Sequence, residues 1–130
     1  MKIILSQVLI LILISIGTIF AQNSSNVQQK VFIFKIDEDI DPGMNRRVKL
    51  ALEKALEVSA DLIIIEMDTY GGAVNDADDI RTMILESTIP VYVFINKDAA
   101  SAGALISIAT DSIYMAPGAS IGAATVVNGT

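Results

Sequence analysis

Apolar residues along the chain gather in three short, nearly unbroken runs: "VFIFKI" from Val31, "LIIIEM" from Leu62 and "VYVFIN" from Val91. Each is rich in β-branched or aromatic residues, the pattern of a strand buried on both faces of a parallel sheet. Between them the period changes from runs to one apolar residue every three or four. In "DIDPGMNRRVKLALEKALEVSA" the residues Met44, Val48, Ala51, Leu52, Ala55 and Leu56 share one helical face. Asp41 is placed to cap that helix, with Pro42 at its first position, where proline's missing N–H costs nothing. "VNDADDIRTMILES" repeats the plan, with Val74, Ala77, Ile80 and Ile84 as the buried stripe. "ASAGALISIAT" predicts a third, small-residue helix, and "SIYM" from Ser112 to Met115 a short last strand. Strands that start about 30 residues apart, each followed by a helix, are successive β-α units. The fold class expected is α/β, with a mostly parallel sheet and right-handed crossovers.

The first 21 residues, "MKIILSQVLILILISIGTIFA", do not fit this alternation. Lys2 is their only charge. An apolar run from Val8 to Ile14 follows, then Ser15, Gly17, Thr18 and finally Ala21. A basic start, an apolar centre and a small residue before a polar stretch are the layout of a secretory signal peptide. A membrane span wants about 20 apolar residues, so a retained anchor is the second reading. Either one carries the remainder out of the cytoplasm, with Lys2 left inside. The organisation expected is a signal peptide over residues 1–21, a polar linker over 22–29 ("QNSSNVQQ") and a domain over 30–130. The far end, "APGASIGAATVVNGT", turns at Pro117 and Gly118 and starts another apolar run, so the domain is expected to be incomplete at Thr130.

Composition narrows the function. The chain has 130 residues, no cysteine and no histidine, and a net charge of −6. An exported domain often leans on disulfides; this one has to rest on packing alone. The acidic balance argues against nucleic acid, which needs clustered Lys and Arg. Asp76, Asp78 and Asp79 are expected in the first turn of the second helix, where they complement the helix dipole. No matching ligand set accompanies them, so no metal is expected there, and nothing points to a cofactor.

Two loops carry candidate chemistry. The second strand ends in "EMDTYGGAV" and the third in "INKDAASAGA", each followed by a helix. Neighbouring parallel strands present their C-terminal ends on one edge, where ligands bind in open α/β sheets. Gly71, Gly72 and Ser101 would then converge. A serine hydroxyl beside free N–H groups is what acyl transfer needs: a nucleophile and an oxyanion hole. Each piece has a plainer reading, Gly71-Gly72 as a tight turn and Ser101 as a helix cap or packing residue. The segment is not a G-x-S-x-G elbow, and without histidine a Ser-His-Asp triad is impossible. An activated serine would need a lysine. Lys97 is nearest in sequence, but nothing places its amine at the hydroxyl.

"DTYGGAV", "AASAGALISIAT" and "DSIYMAPGASIGAAT", in that order and at these separations, resemble the protease domain of NfeD-type membrane-bound serine proteases, of the ClpP class on the ClpP/crotonase fold. The resemblance covers roughly residues 30–130. It implies Ser101 as nucleophile, with an oxyanion hole from Gly71, Gly72 and the N–H of Ala102. Many relatives have proline before the two glycines, where this chain has Tyr70. The family's base is a lysine in a later segment, past Thr130. Complete relatives also carry several membrane helices and often a small barrel. The resemblance implies an extracytoplasmic endopeptidase attached to the membrane by those later helices and cleaving apolar segments of membrane proteins, stomatin-like partners included. It also implies a substrate strand lying between Gly72, Ala73 and Val74 on one side and Gly122, Ala123, Ala124 and Thr125 on the other. Assembly as a homo-oligomer is expected, and the segment alone is expected to be inactive. Rivals are a signal-peptide-peptidase-A-like protease, a crotonase-type acyl-CoA enzyme, against which export argues, and an inactive ClpP-fold membrane scaffold.

Overall fold

The computed structural model describes residues 28–124. The expected signal peptide, most of the expected linker and Thr125 lie outside the described residues. Among those described, the order is β1 (Val31–Ile36), α1 (Pro42–Glu57), β2 (Leu62–Thr69), α2 (Val74–Leu85), β3 (Val91–Ala100), α3 (Ala102–Ile108), β4 (Ser112–Met115) and β5 (Ser120–Gly122). All pairings are parallel, in spatial order β1-β2-β3-β4. β5 pairs with the upper part of β3, beyond β4, through Asp98↔Ser120, Ala99↔Ile121 and Ala100↔Gly122.

Local chemistry explains the helix ends. Asp41 stands in extended conformation before α1, and its Oδ1 accepts the N–H of Met44 at 2.7 Å. Pro42 follows at the first position, as the sequence predicts. α2 starts at Val74, so of the three aspartates only Asp76 lies in its first turn. The trio is engaged in the fold. Asn45 Nδ2 donates to Asp76 Oδ1 at 3.0 Å and Asp79 Oδ2 at 3.1 Å, tying α1 to α2, while Asp78 pairs with Arg81 at 2.8 Å.

The sheet is covered on one face only, which corrects the expectation of strands buried on both. Because each crossover turns the same way between sequential neighbours, the three helices pack on one side. There Ile36, Ile63, Ile65, Met67, Val91, Val93 and Ile95 meet Met44, Val48, Ala55, Ala77, Ile80, Ile84 and Ile106 in one buried cluster. The alternate strand residues line the other face, a shallow groove of about 420 Å³ bordered by Ile33, Ile64, Tyr92, Phe94 and Tyr114. Two stripe residues also differ from expectation. Leu56 lines the outer cleft between α1 and α2, and Val74 opens α2 before the helix reaches the core; both are exposed.

β3 is longer than its apolar run. The strand continues past Asn96 through Lys97, Asp98, Ala99 and Ala100 and ends against Ser101. The register shows the insertion: Met67 faces Ile95, but Thr69 faces Ala99, so β3 carries two residues more than β2 over that stretch. This bulge and the added β5 pairing deliver the end of β3 to the same edge as the glycine loop.

Candidate active site

Ser101 is the single residue between β3 and α3. It has φ 51° and ψ −111°, a combination that a residue with a Cβ adopts only under strain, of order 1–3 kcal/mol. Its side chain makes no capping bond to α3. The hydroxyl is therefore not a helix cap, and the residue is exposed. A sharp strand-to-helix turn that leaves a serine Oγ in the open is how an elbow presents a nucleophile.

The glycine loop lies directly against it. A Cβ placed on Gly71 would fall 2.9 Å from Ser101 Cβ, 3.0 Å from the Ala100 carbonyl oxygen and 3.2 Å from the Ala102 nitrogen. Gly71 itself has φ 114°, open to glycine and strained for other residues. Gly71 and Ser101 thus touch through the space a side chain would fill. Gly103 serves the same end from below. A Cβ there would lie 2.6 Å from Thr69 Cγ2, so the missing side chain lets the first turn of α3 settle onto β2.

The backbone donors around the hydroxyl can be accounted for one by one. Ser101 N–H donates to Gly122 O at 2.8 Å, Gly71 N–H to Thr69 Oγ1 at 3.1 Å and Ala73 N–H to Ile40 O at 2.7 Å. Gly72 N–H and Ala102 N–H have no acceptor among the described residues. Ala102 opens α3, where a helix N–H lacks an intrahelical partner. Of the donors expected from the sequence, Gly72 and Ala102 are thus available, while Gly71 is already engaged.

The expected substrate-binding segments are partly corrected. Ala73 is not a free strand residue: its N–H is held by Ile40 and its carbonyl accepts Ala77 N–H at 3.0 Å. Val74 is the first residue of α2 rather than extended backbone. A peptide cannot add to backbone groups already paired. On the other side, Gly122 ends β5 and faces β3, Ala123 turns with φ 56°, and Ala124 is exposed. The outer edge of β5 has no partner strand among the described residues.

Lys97, the lysine nearest Ser101 in sequence, is engaged by a carboxylate. Its Nζ donates to Asp68 Oδ2 at 3.0 Å. That hydrogen bond, reinforced by the carboxylate's charge, raises its pKa and holds the proton more tightly. The other lysines with a recorded partner are also turned elsewhere: Lys30 to Val58 O, Lys35 to Glu66 and Lys54 to Glu57. Sequence reasoning missed Thr69, whose signal was its position directly before the glycine loop. Gly122, expected beside the substrate, also holds site backbone in place by accepting Ser101 N–H.

The chain is similar to known proteins in sequence and in fold. The family model for the NfeD1b N-terminal domain matches residues 30–130. Membrane protein NfeD1b of Bacillus subtilis is 39% identical over 107 residues, 82% of this chain and 24% of that protein. Membrane-bound protease PH1510 of Pyrococcus horikoshii is 42% identical over 74 residues, 55% of this chain and 17% of that protein. The chain thus spans about a quarter or less of the curated relatives it matches. The 1510-N membrane-bound stomatin-specific protease, solved as a lysine-to-alanine mutant in complex with a substrate peptide, superposes with TM-score 0.73 at 33% identity, covering 79% of this chain and 48% of that one. The same protease is also solved as a serine-to-alanine mutant, at TM-score 0.70 and 32% identity over 73% of this chain and 47% of that one. ClpP1 of Listeria monocytogenes matches at TM-score 0.59 and 29% identity over 61% of this chain and 46% of that one. The fold is thus the ClpP/crotonase type.

Proposed function

Because the chain belongs to the NfeD1b N-terminal-domain family, we propose that it is the nucleophile-bearing part of a membrane-associated serine endopeptidase, with Ser101 as the attacking residue. The observation that carries this reading is the backbone of Ser101: strained, exposed, capping nothing, and pressed against the glycine loop. Structure that holds a side chain in a costly conformation without a packing return points to chemistry.

In the proposed reaction Ser101 Oγ attacks the scissile carbonyl carbon. Its proton passes to a lysine amine, and the carbonyl oxygen becomes an oxyanion facing Gly72 and Ala102 N–H. The C–N bond then breaks, the lysine returns the proton to the leaving nitrogen, and water hydrolyses the acyl-enzyme. The lysine is proposed to come from outside the described residues: Lys30, Lys35, Lys54 and Lys97 are engaged by Val58 O, Glu66, Glu57 and Asp68, and Lys49 lines the outer cleft between α1 and α2. A relative solved once with a serine replaced by alanine and once with a lysine replaced by alanine supports the pairing. Its description as stomatin-specific supports apolar segments of stomatin-like membrane proteins as substrates, and homo-oligomers are proposed as the working assembly. The substrate strand adds along β5, whose outer edge is unpaired among the described residues. Further parts of the longer protein attach it to the membrane.

A small fluorophosphonate tests the nucleophile in the full-length protein. Mass spectrometry is expected to find the phosphonyl group on Ser101; reaction elsewhere, or none, would overturn the reading. Export is tested separately. Cleavage after Ala21 predicts a mature protein in the cell envelope that begins at Gln22, and an intact Met1 on a soluble cytoplasmic product would contradict it.

A further inference from the structure

Thr69 ends β2, directly before the exposed Tyr70 and the two glycines, and is itself 3% exposed. We infer that Thr69 is a positioning residue for the oxyanion hole, its hydroxyl deciding which glycine N–H is presented to substrate; the inference rests on the serine peptidase reading above.

The hydroxyl has two partners. It donates to Glu38 O at 2.7 Å and accepts Gly71 N–H at 3.1 Å. The first bond ties the glycine loop to the segment between β1 and α1. The second turns the Gly71 amide inward. With Gly71 committed to Thr69, the next peptide in the chain carries the uncommitted Gly72 N–H. The loop is pinned beyond it by two more bonds, Ile40 N–H to Gly71 O at 2.8 Å and Ala73 N–H to Ile40 O at 2.7 Å. The N–H and carbonyl of Gly71 and the N–H of Ala73 are thus all held, and one of the clamps is a side chain whose hydroxyl a single substitution removes.

The methyl of Thr69 has a different task. Cγ2 lies 2.6 Å from where a Cβ on Gly103 would be, so it packs closely under the first turn of α3. The hydroxyl alone bonds to the glycine loop, while the start of α3 is held independently of the methyl by Ser101 N–H to Gly122 O at 2.8 Å and Leu105 N–H to Ser101 O at 3.1 Å. A buried hydroxyl could serve stability alone. Placement of the hole predicts something further: a loss in the chemical step that follows the hydroxyl rather than the volume. A misaligned donor costs rate more than it costs binding, because the oxyanion exists only past the ground state.

Two variants of the full-length enzyme separate these roles. Thr69→Val keeps the shape and the methyl and removes the hydroxyl. Thr69→Ser keeps the hydroxyl and removes the methyl. Peptide cleavage by Thr69→Val is expected to lose about 10- to 100-fold in kcat with KM within about threefold, as for a donor displaced by a fraction of an ångström. Fluorophosphonate labelling of Ser101 should slow in parallel, because the phosphoryl oxygen uses the same donors. Thr69→Ser is expected to stay within about threefold of wild type in both assays. If Thr69→Val does not fold, Thr69→Ser still decides: a folded serine variant as slow as a donor-loss mutant would overturn the inference. Wild-type labelling at Ser101 with equal labelling of Thr69→Val would overturn it while leaving the peptidase reading intact. Absence of label on the wild type would remove the peptidase reading and this inference together.

Discussion

Replacing Gly72 by alanine is expected to destabilise the full-length protein by about 3 kcal/mol and to abolish peptide cleavage. A Cβ at this position would lie 2.1 Å from the carbonyl oxygen of Ile40, 2.7 Å from its nitrogen and 2.8 Å from its carbonyl carbon. All three neighbours are backbone, so no rotamer relieves the clash. Ile40 cannot retreat, because its side chain is 1% exposed in the core. The Ile40 bonds to Gly71 O and Ala73 N–H, at 2.8 and 2.7 Å, draw the loop against it from both sides of Gly72. An added methyl therefore has to push the loop away and break those bonds. The Gly72 N–H moves with them. Gly118→Ala is the control. Gly118 has φ 83° but nothing within 4 Å of its would-be Cβ, so it carries conformational strain without a collision, about 1 kcal/mol. Pulse proteolysis across a urea series compares the two. Equal destabilisation would show that the close approach to Ile40 is not what fixes this loop.

Much of this arrangement was legible in the sequence, for physical reasons that can be named. Buried strands and amphipathic helices announce themselves by period, and Asp41 with Pro42 marked the start of α1 to the residue. The upper part of β3 was hidden because Asn96, Lys97 and Asp98 interrupt the apolar pattern. They stand in the strand bulge and beside β5 rather than in the core. The single covered face was hidden because an apolar run does not say whether one side or both are packed. At the site, the two glycines and Ser101 could be placed on one edge from strand order alone. Which amides remain free could not, since that depends on partners 31 residues away in sequence, such as Glu38 O for Thr69. The elbow was half visible. "AASAG" carries the second glycine of an elbow, Gly103, with Ala99 in place of the first, and Ala99 is 0% exposed beneath the turn. Small residues on both sides of a serine at a strand end are the signal a G-x-S-x-G search passes over.

Removing the hydroxyl of Ser101 is expected to lower peptide cleavage by the full-length enzyme by roughly 10³-fold or more, the scale of a lost nucleophile, with stability unchanged. The second half of that statement distinguishes the readings of this residue. A serine that caps a helix contributes about 1 kcal/mol, and its alanine variant loses it. Ser101 stands at the cap position of α3, yet its side chain makes no capping bond, so Ser101→Ala should fall within about 0.5 kcal/mol of wild type, the range of substitutions that remove no interaction. Ser101→Gly extends the argument. With φ at 51° and ψ at −111° the serine Cβ is in a crowded region, worth about 1–3 kcal/mol of strain that glycine does not carry. Glycine returns about 0.4–1 kcal/mol of this through the greater freedom of the unfolded chain. The balance favours the variant, by about 1 kcal/mol. An inactive protein more stable than the active one is the signature of a residue kept in place for its reactivity. Urea midpoints of the three proteins, read beside their cleavage rates, carry the test. An alanine variant that keeps its activity ends the nucleophile assignment, and a glycine variant less stable than wild type shows that the turn is not strained at Ser101.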